Sequence, residues 1–137
     1  MNLHVWLLSF CLLAPFAAFA EEPAQKSGAS EYVELNPPFI VTYGGPGPLK
    51  YLKTEVTLIV MEGKPEGYIK LHTPPIRNTL VMLLSRQTTE SVATAAGRDQ
   101  LRQQALEGIR QVLVGEYGVE GYEMIKDLLF TSFVVQE

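Results

Sequence analysis

The residues able to do chemistry are few and far apart. The histidines are His4 and His72, the cysteine is Cys11, and the aspartates are Asp99 and Asp127. A nucleophile needs a base within reach. His72 lies between Leu71 and Thr73-Pro74-Pro75, at a helix boundary, where a capping or surface histidine is the plain reading and a hydrolase base the sharp one. There is no His/Cys cluster with zinc spacing, and two aspartates cannot build a calcium loop. Gly44-Gly45-Pro46-Gly47-Pro48 is glycine-rich. Its two prolines remove N–H groups that would cradle a phosphate, so it reads as a turn. Glu120 and Glu123 flank Tyr122, and Glu66 lies near Lys64 and Lys70; these are solvated charges. No catalytic residue, cofactor site or metal site is assigned, and the reading is non-enzymatic.

The chain has 137 residues, 47% of them hydrophobic and 19% charged, with a net charge of −4. Those values suit one globular domain. Lysines and arginines are scattered rather than gathered into a stripe with aromatics between them, which argues against nucleic-acid binding.

The first twenty residues stand apart. Trp6, Leu7, Leu8, Phe10, Leu12 and Leu13 form an apolar run, broken by Pro15. Ala18-Phe19-Ala20 then offers a small-x-small cleavage pattern before Glu21. This is the layout of a secretory signal peptide over residues 1–20. The run from Val5 to Ala20 is shorter than the roughly 20 residues of a spanning helix; an uncleaved short membrane anchor is the alternative. Cleavage would remove Cys11 and leave no cysteine for a disulfide. Residues 21–31 are small and polar, a flexible linker.

Residues 32–137 read as one domain. Tyr32-Val33-Glu34-Leu35 is extended and is stopped by Asn36-Pro37-Pro38. Phe39–Tyr43 is a β-branched and aromatic strand. In Tyr51–Met61, Leu52, Thr54, Val56, Leu58 and Val60 share one face, the core face. The other face starts polar and turns apolar at Ile59, so its far end is expected to be covered. A short helix over Glu66–Leu71 precedes a helix from about Ile76 to Arg86, with Pro75 suited to its first turn. Thr88–Val92 is a polar turn or a single helical turn. Thr94 is an N-cap for an amphipathic helix from Ala95 to Glu116, with Leu101, Ala105, Leu106, Ile109, Val112 and Leu113 as its stripe and Gly115 and Gly118 ending it. The last strand spans Met124–Gln136. The order is α+β, a small sheet packed by two main helices.

Leu80-Val81-Met82-Leu83-Leu84 covers its helix all round, the mark of burial on every side. Either the helix is sandwiched inside the domain or a partner covers its outer side. The second reading makes Arg77, Val81, Met82 and Arg86 a partner or self-association surface, with the arginines as salt-bridging rim. It predicts a homo-oligomer.

Several segments, in order, resemble the FliL family of flagellar basal-body-associated proteins. They are Tyr32–Val41 (Tyr-Val-Glu-Leu-Asn-Pro-Pro-Phe-Ile-Val), Tyr51–Leu58 (Tyr-Leu-Lys-Thr-Glu-Val-Thr-Leu), Pro75–Leu80 (Pro-Ile-Arg-Asn-Thr-Leu), Leu83–Thr88, Gly97–Arg102 and Leu128–Gln136 (Leu-Leu-Phe-Thr-Ser-Phe-Val-Val-Gln). The resemblance implies a periplasmic domain of stomatin/prohibitin-type (SPFH-like) fold. It also implies flagellar stator or basal-body proteins as partners, support of motility, and rings of side-by-side domains. It brings no catalytic residues. Family members usually carry a positively flanked spanning helix. The shorter segment here implies a secreted variant, periplasmic and membrane-adjacent without spanning, or else anchored to the inner membrane. A cell-envelope scaffold on the same fold, unrelated to motility, is the competing reading.

Overall fold

The central strand shapes everything around it. A computed structural model describes residues 30–137 apart from residue 64. The expected cleavage residues Ala18, Ala20 and Glu21 lie outside the described residues, as does most of the linker. Along the chain run β1 (Ser30–Glu34), β2 (Phe39–Tyr43), β3 (Lys50–Met61), α1 (Pro65–Leu71), α2 (Thr73–Ser85), α3 (Thr89–Ala93), α4 (Ala95–Tyr117), α5 (Val119–Glu123) and β4 (Ile125–Gln136). The fold is α+β with one four-stranded antiparallel sheet.

β4 pairs with β3 along nearly its whole length, from Tyr51↔Gln136 to Val60↔Ile125. β1 pairs with the far half of β3 (Val33↔Leu58) and β2 with the near half (Val41↔Leu52). A strand has two edges, so β1 and β2 lie end to end along the edge that β4 leaves open. They form one interrupted strand. Pro37 and Pro38 cause the break, since neither has an N–H for the ladder. Leu35 still bridges the gap, its N–H donating to Val56 O at 2.9 Å.

Period-2 alternation decides which face is covered. Leu52, Thr54, Val56, Leu58 and Val60 are buried, together with Val33, Phe39, Val41, Ile125 and Leu128 from the flanking strands. The helices lie on this face. α2 contributes Ile76, Leu80 and Leu84, and α4 contributes Leu101, Ala105, Ile109 and Leu113. Strict i, i+4 spacing gives each helix one narrow stripe. Thr54 is the polar member of the core; its hydroxyl donates to Ser132 O at 2.7 Å, which meets the cost of burying it. At Gly108 a Cβ would lie 3.0 Å from Thr79 Cγ2, so this glycine lets α2 and α4 approach closely.

The structure corrects several sequence expectations. α2 begins at Thr73 rather than near Ile76, taking in Pro74 and Pro75 at first-turn positions where no N–H is needed. It is not buried on all sides: Val81 and Met82 are exposed while Leu80 and Leu84 are buried. The five-residue apolar run is therefore a one-sided helix with an apolar outer patch. On the second face of β3, Thr57 is buried and Ile59 half-buried, but Met61 is exposed, so cover is partial. Ser30 and Glu31, read as linker, pair with Met61 and Val60. Thr94 caps α4 as expected, accepting from Gly97 N at 3.0 Å.

α4 also runs through Gly115 and stops only at Gly118, whose φ of +65° requires a residue without a Cβ. Gly115 faces open space inside the helix. Gly115→Ala is expected to raise stability by about 0.5–1 kcal/mol. Gly118→Ala is expected to lower it by about 1–2 kcal/mol. Urea denaturation followed by circular dichroism reads both, and equal shifts of the same sign would contradict the assignment.

Candidate interaction surfaces

His72 is the residue whose chemistry most needed a structure. It occupies the single position between α1 and α2. Its Nε2 lies 2.6 Å from the hydroxyl of Tyr117 at the far end of α4. The Tyr117 ring packs edge-on against His72 and tilted against Tyr68, with centroids 5.3 and 4.8 Å apart. The cluster ties the α1–α2 corner to the last turn of α4. No acid, amide or hydroxyl nucleophile completes a relay: no other side chain is hydrogen-bonded to either ring among the described residues. Among those residues no three His, Cys, Asp or Glu side chains converge as metal ligands either.

Tyr117 carries the titration signal of the cluster. Desolvation first, then the Tyr68 and Glu116 charges, hold its phenol above the usual value of 10.0. A raised phenol pKa means that the fold favours the neutral form. The stability it contributes is present below the unfolded pKa and lost as pH climbs through the raised folded one.

The arginines and apolar residues assigned to a partner surface separate into two roles. Arg77 is engaged inside the domain. Its Nη1 donates to Leu35 O (3.2 Å) and Pro37 O (2.8 Å), and its guanidinium lies 4.1 Å from the Phe39 ring centroid. It clasps the break between β1 and β2 to α2, satisfying carbonyls that the prolines leave without ladder partners. Val81, Met82 and Arg86 do face outward. Met82 and Arg86 line a groove of about 350 Å³ between α2 and α4, with Asn78, Thr79, Gln104 and Gly108. The groove is open where Gly108 has no side chain. Arg86 forms no ion pair among the described residues, so its charge is available to an incoming carboxylate.

Two further surfaces escaped the sequence reading. The sheet face opposite the helices exposes Tyr32, Ile40, Tyr51, Met61 and Val134. Ile40, Tyr51, Lys53, Val134 and Gln136 border a shallow hollow of about 290 Å³ on it. Period 2 put these residues on one face, but the register that sets Ile40 and Val134 on either side of Lys53 is a tertiary fact. The second surface follows β4, where Ala95, Arg98, Asp99, Arg102, Phe130 and Phe133 enclose about 440 Å³ together with Leu129. No helix among the described residues is long and apolar enough to cross a membrane.

The comparisons with known proteins agree with the resemblance drawn from the segments. Residues 32–136 match the family described as flagellar basal body-associated protein FliL. The chain is also similar to the flagellar protein FliL of Aquifex aeolicus (strain VF5), at 31% identity over 103 residues. That alignment takes in 75% of this chain and 60% of the relative, so the match covers less than two thirds of the relative's length.

If the His72–Tyr117 contact is a structural tie, Tyr117→Phe should leave the fold intact at neutral pH and flatten the alkaline limb of the stability profile. Thermal unfolding between pH 8 and 11.5 measures this; an unchanged alkaline limb in the variant would contradict it.

Proposed function

This chain belongs to the FliL family of flagellar basal body-associated proteins, and from that premise we propose that it is a non-enzymatic periplasmic accessory of the flagellar motor. Membership of the family supports a flagellar accessory role. The finer reading is that the domain sits in the periplasm beside the stator or basal body and supports motility through protein–protein contact. The family match over residues 32–136 carries it.

The site chemistry points the same way. The one histidine of the domain is bound up with Tyr117. Arg86, which has no ion pair among the described residues, and the apolar Val81 and Met82 are exposed on the outer side of α2 and its C-terminal end. An exposed apolar patch with a charge at its rim is suited to binding protein, because interfaces draw on desolvated apolar cores and polar rims. We assign this α2 face to contact with the stator or basal body, or with further copies of the chain in a ring. A stomatin/prohibitin-type fold and cleavage after Ala20 belong to the same proposal.

A strain lacking the gene is expected to lose swarming or swimming under viscous load and to regain it with the wild-type gene. Met82→Glu is expected to fold normally and fail to restore motility, while His72→Ala restores it fully. Unchanged motility of the deletion strain would count against the motor role. Recovery of envelope proteins without any stator component in a pull-down would favour the envelope-scaffold reading.

A further inference from the structure

β4 is an edge strand left largely unprotected. Among the described residues it pairs only with β3, and no other backbone–backbone hydrogen bond involves residues 125–136. Its first stretch is covered: Arg110 donates to Ile125 O and Lys126 O, and Asp127 holds Arg102 and the N–H of Leu128. From Leu128 to Val135 there is neither a charge nor a proline. Edge strands normally carry one or the other to prevent pairing with a second chain. Here neither a charge nor a proline stands along the most apolar part of the strand, and a bulge at Thr131 is the irregularity within it.

What this stretch fits is written in its order. Leu128-Leu129-Phe130-Thr131 runs into Ser132-Phe133-Val134-Val135: two aliphatics, a phenylalanine and a hydroxyl, then the mirror image. A two-fold antiparallel pairing needs this self-complementarity, since residue i faces j wherever j faces i. A regular strand would still fail, because Phe130 and Phe133, three apart, would point to opposite faces. The irregularity between Glu55 and Val56 repairs it. Phe130 lies opposite Val56 and Ser132 opposite Glu55, so Thr131 is the extra residue. Both phenylalanines then turn to the helix-covered face, where their rings pack at 5.3 Å between centroids. Leu129 (opposite Thr57) and Val134 (opposite Lys53) share the open face.

We propose that two copies of this chain join edge to edge through β4, antiparallel about a dyad between Thr131 and Ser132. Phe130 of each copy lies opposite Phe133 of the other, Leu129 opposite Val134, and Leu128 opposite Val135. The groove beside the edge supplies the charge complementarity. Arg98 and Asp99 are neighbours of opposite sign on its rim, so the same two-fold sets a positive group of one copy toward a negative group of the other. Among the described residues Arg98 has no carboxylate partner; its guanidinium reaches the carbonyls of Thr94 and Ala93 at 3.4 Å and lies 5.6 Å from the Phe133 ring centroid. The joined sheets have eight strands, with the helix layers side by side on one face. The pairing is isologous and closes at two copies, unlike a ring, and it stands independently of the motor reading.

The test uses the full chain with Cys11→Ser, so that introduced thiols stand alone. Leu129 and Val134 are five residues apart in one strand, roughly 17 Å, too far for a disulfide within one chain. Across the proposed dyad they are opposite neighbours, within reach of one. The double variant Leu129→Cys/Val134→Cys is expected to form a covalent dimer under mild oxidation on a non-reducing gel. Each single variant is expected to stay monomeric there. No dimer from the double variant, or equal dimer from the singles, overturns the proposal. Sedimentation supplies the second measurement. Thr131 is exposed in the bulge, so Thr131→Lys spares the core and brings two like charges together at the dyad. A halved mass with unchanged circular dichroism is expected; a monomeric wild type, or a variant whose mass does not change, overturns it.

Discussion

One face of β3 must leave water, and the domain is arranged so that it can. Leu52, Thr54, Val56, Leu58 and Val60 stand in a row at 0–2% exposure. Burying a Val or Leu side chain gives about 1.5–3 kcal/mol. That gain is collected only if helices lie flat across the row. α2 and α4 do so through i, i+4 stripes, and Gly108 allows them to sit close enough to share it. The flanking strands extend the same face: Val33, Phe39 and Val41 on one side, Ile125 and Leu128 on the other. Without the row on β3, neither helix has a surface to cover and neither edge has a strand to pair with.

This constraint explains what could be read from the sequence. The β3 alternation, the α4 stripe and the Thr94 cap each announce themselves locally, because period 2, period 3.6 and a hydroxyl before a helix are short-range signals. The extended segments before and after Pro37-Pro38 were also legible. That they form one broken strand was not, since the pairing of both with β3 is long-range. Nor was the outer side of α2. Five consecutive apolar residues look buried all round, and only the sheet's position shows that Val81 and Met82 face away from it.

Arg77 and Arg86 show the limit for the candidate site. Both border the same apolar helix, and the sequence offers no means of separating them. The structure does so through geometry. Arg77 points along α2 toward carbonyls that Pro37 and Pro38 leave without ladder partners, and it is spent there. Arg86 follows the last residue of α2 with its charge outward. His72 is a similar case. Its neighbours Thr73-Pro74-Pro75 marked a helix boundary correctly, but its partner Tyr117 is 45 residues away.

The outward-facing apolar residues divide between the two layers of the domain. The helix layer presents Val81, Met82 and Arg86 on its outside. The sheet presents the edge of β4 at right angles to that direction, in the plane of the strands. Contacts made at the two sites need not compete for the same residues, because none is shared between the groove at Met82 and the groove at Phe133. An edge-paired dimer would display two α2 faces on one side of a continuous sheet. Duplicated faces held at a fixed spacing raise the effective concentration of the second contact once the first has formed. Under the proposed contact role, that gain is available without any new binding residue, and it depends on the β4 edge remaining apolar and uncharged.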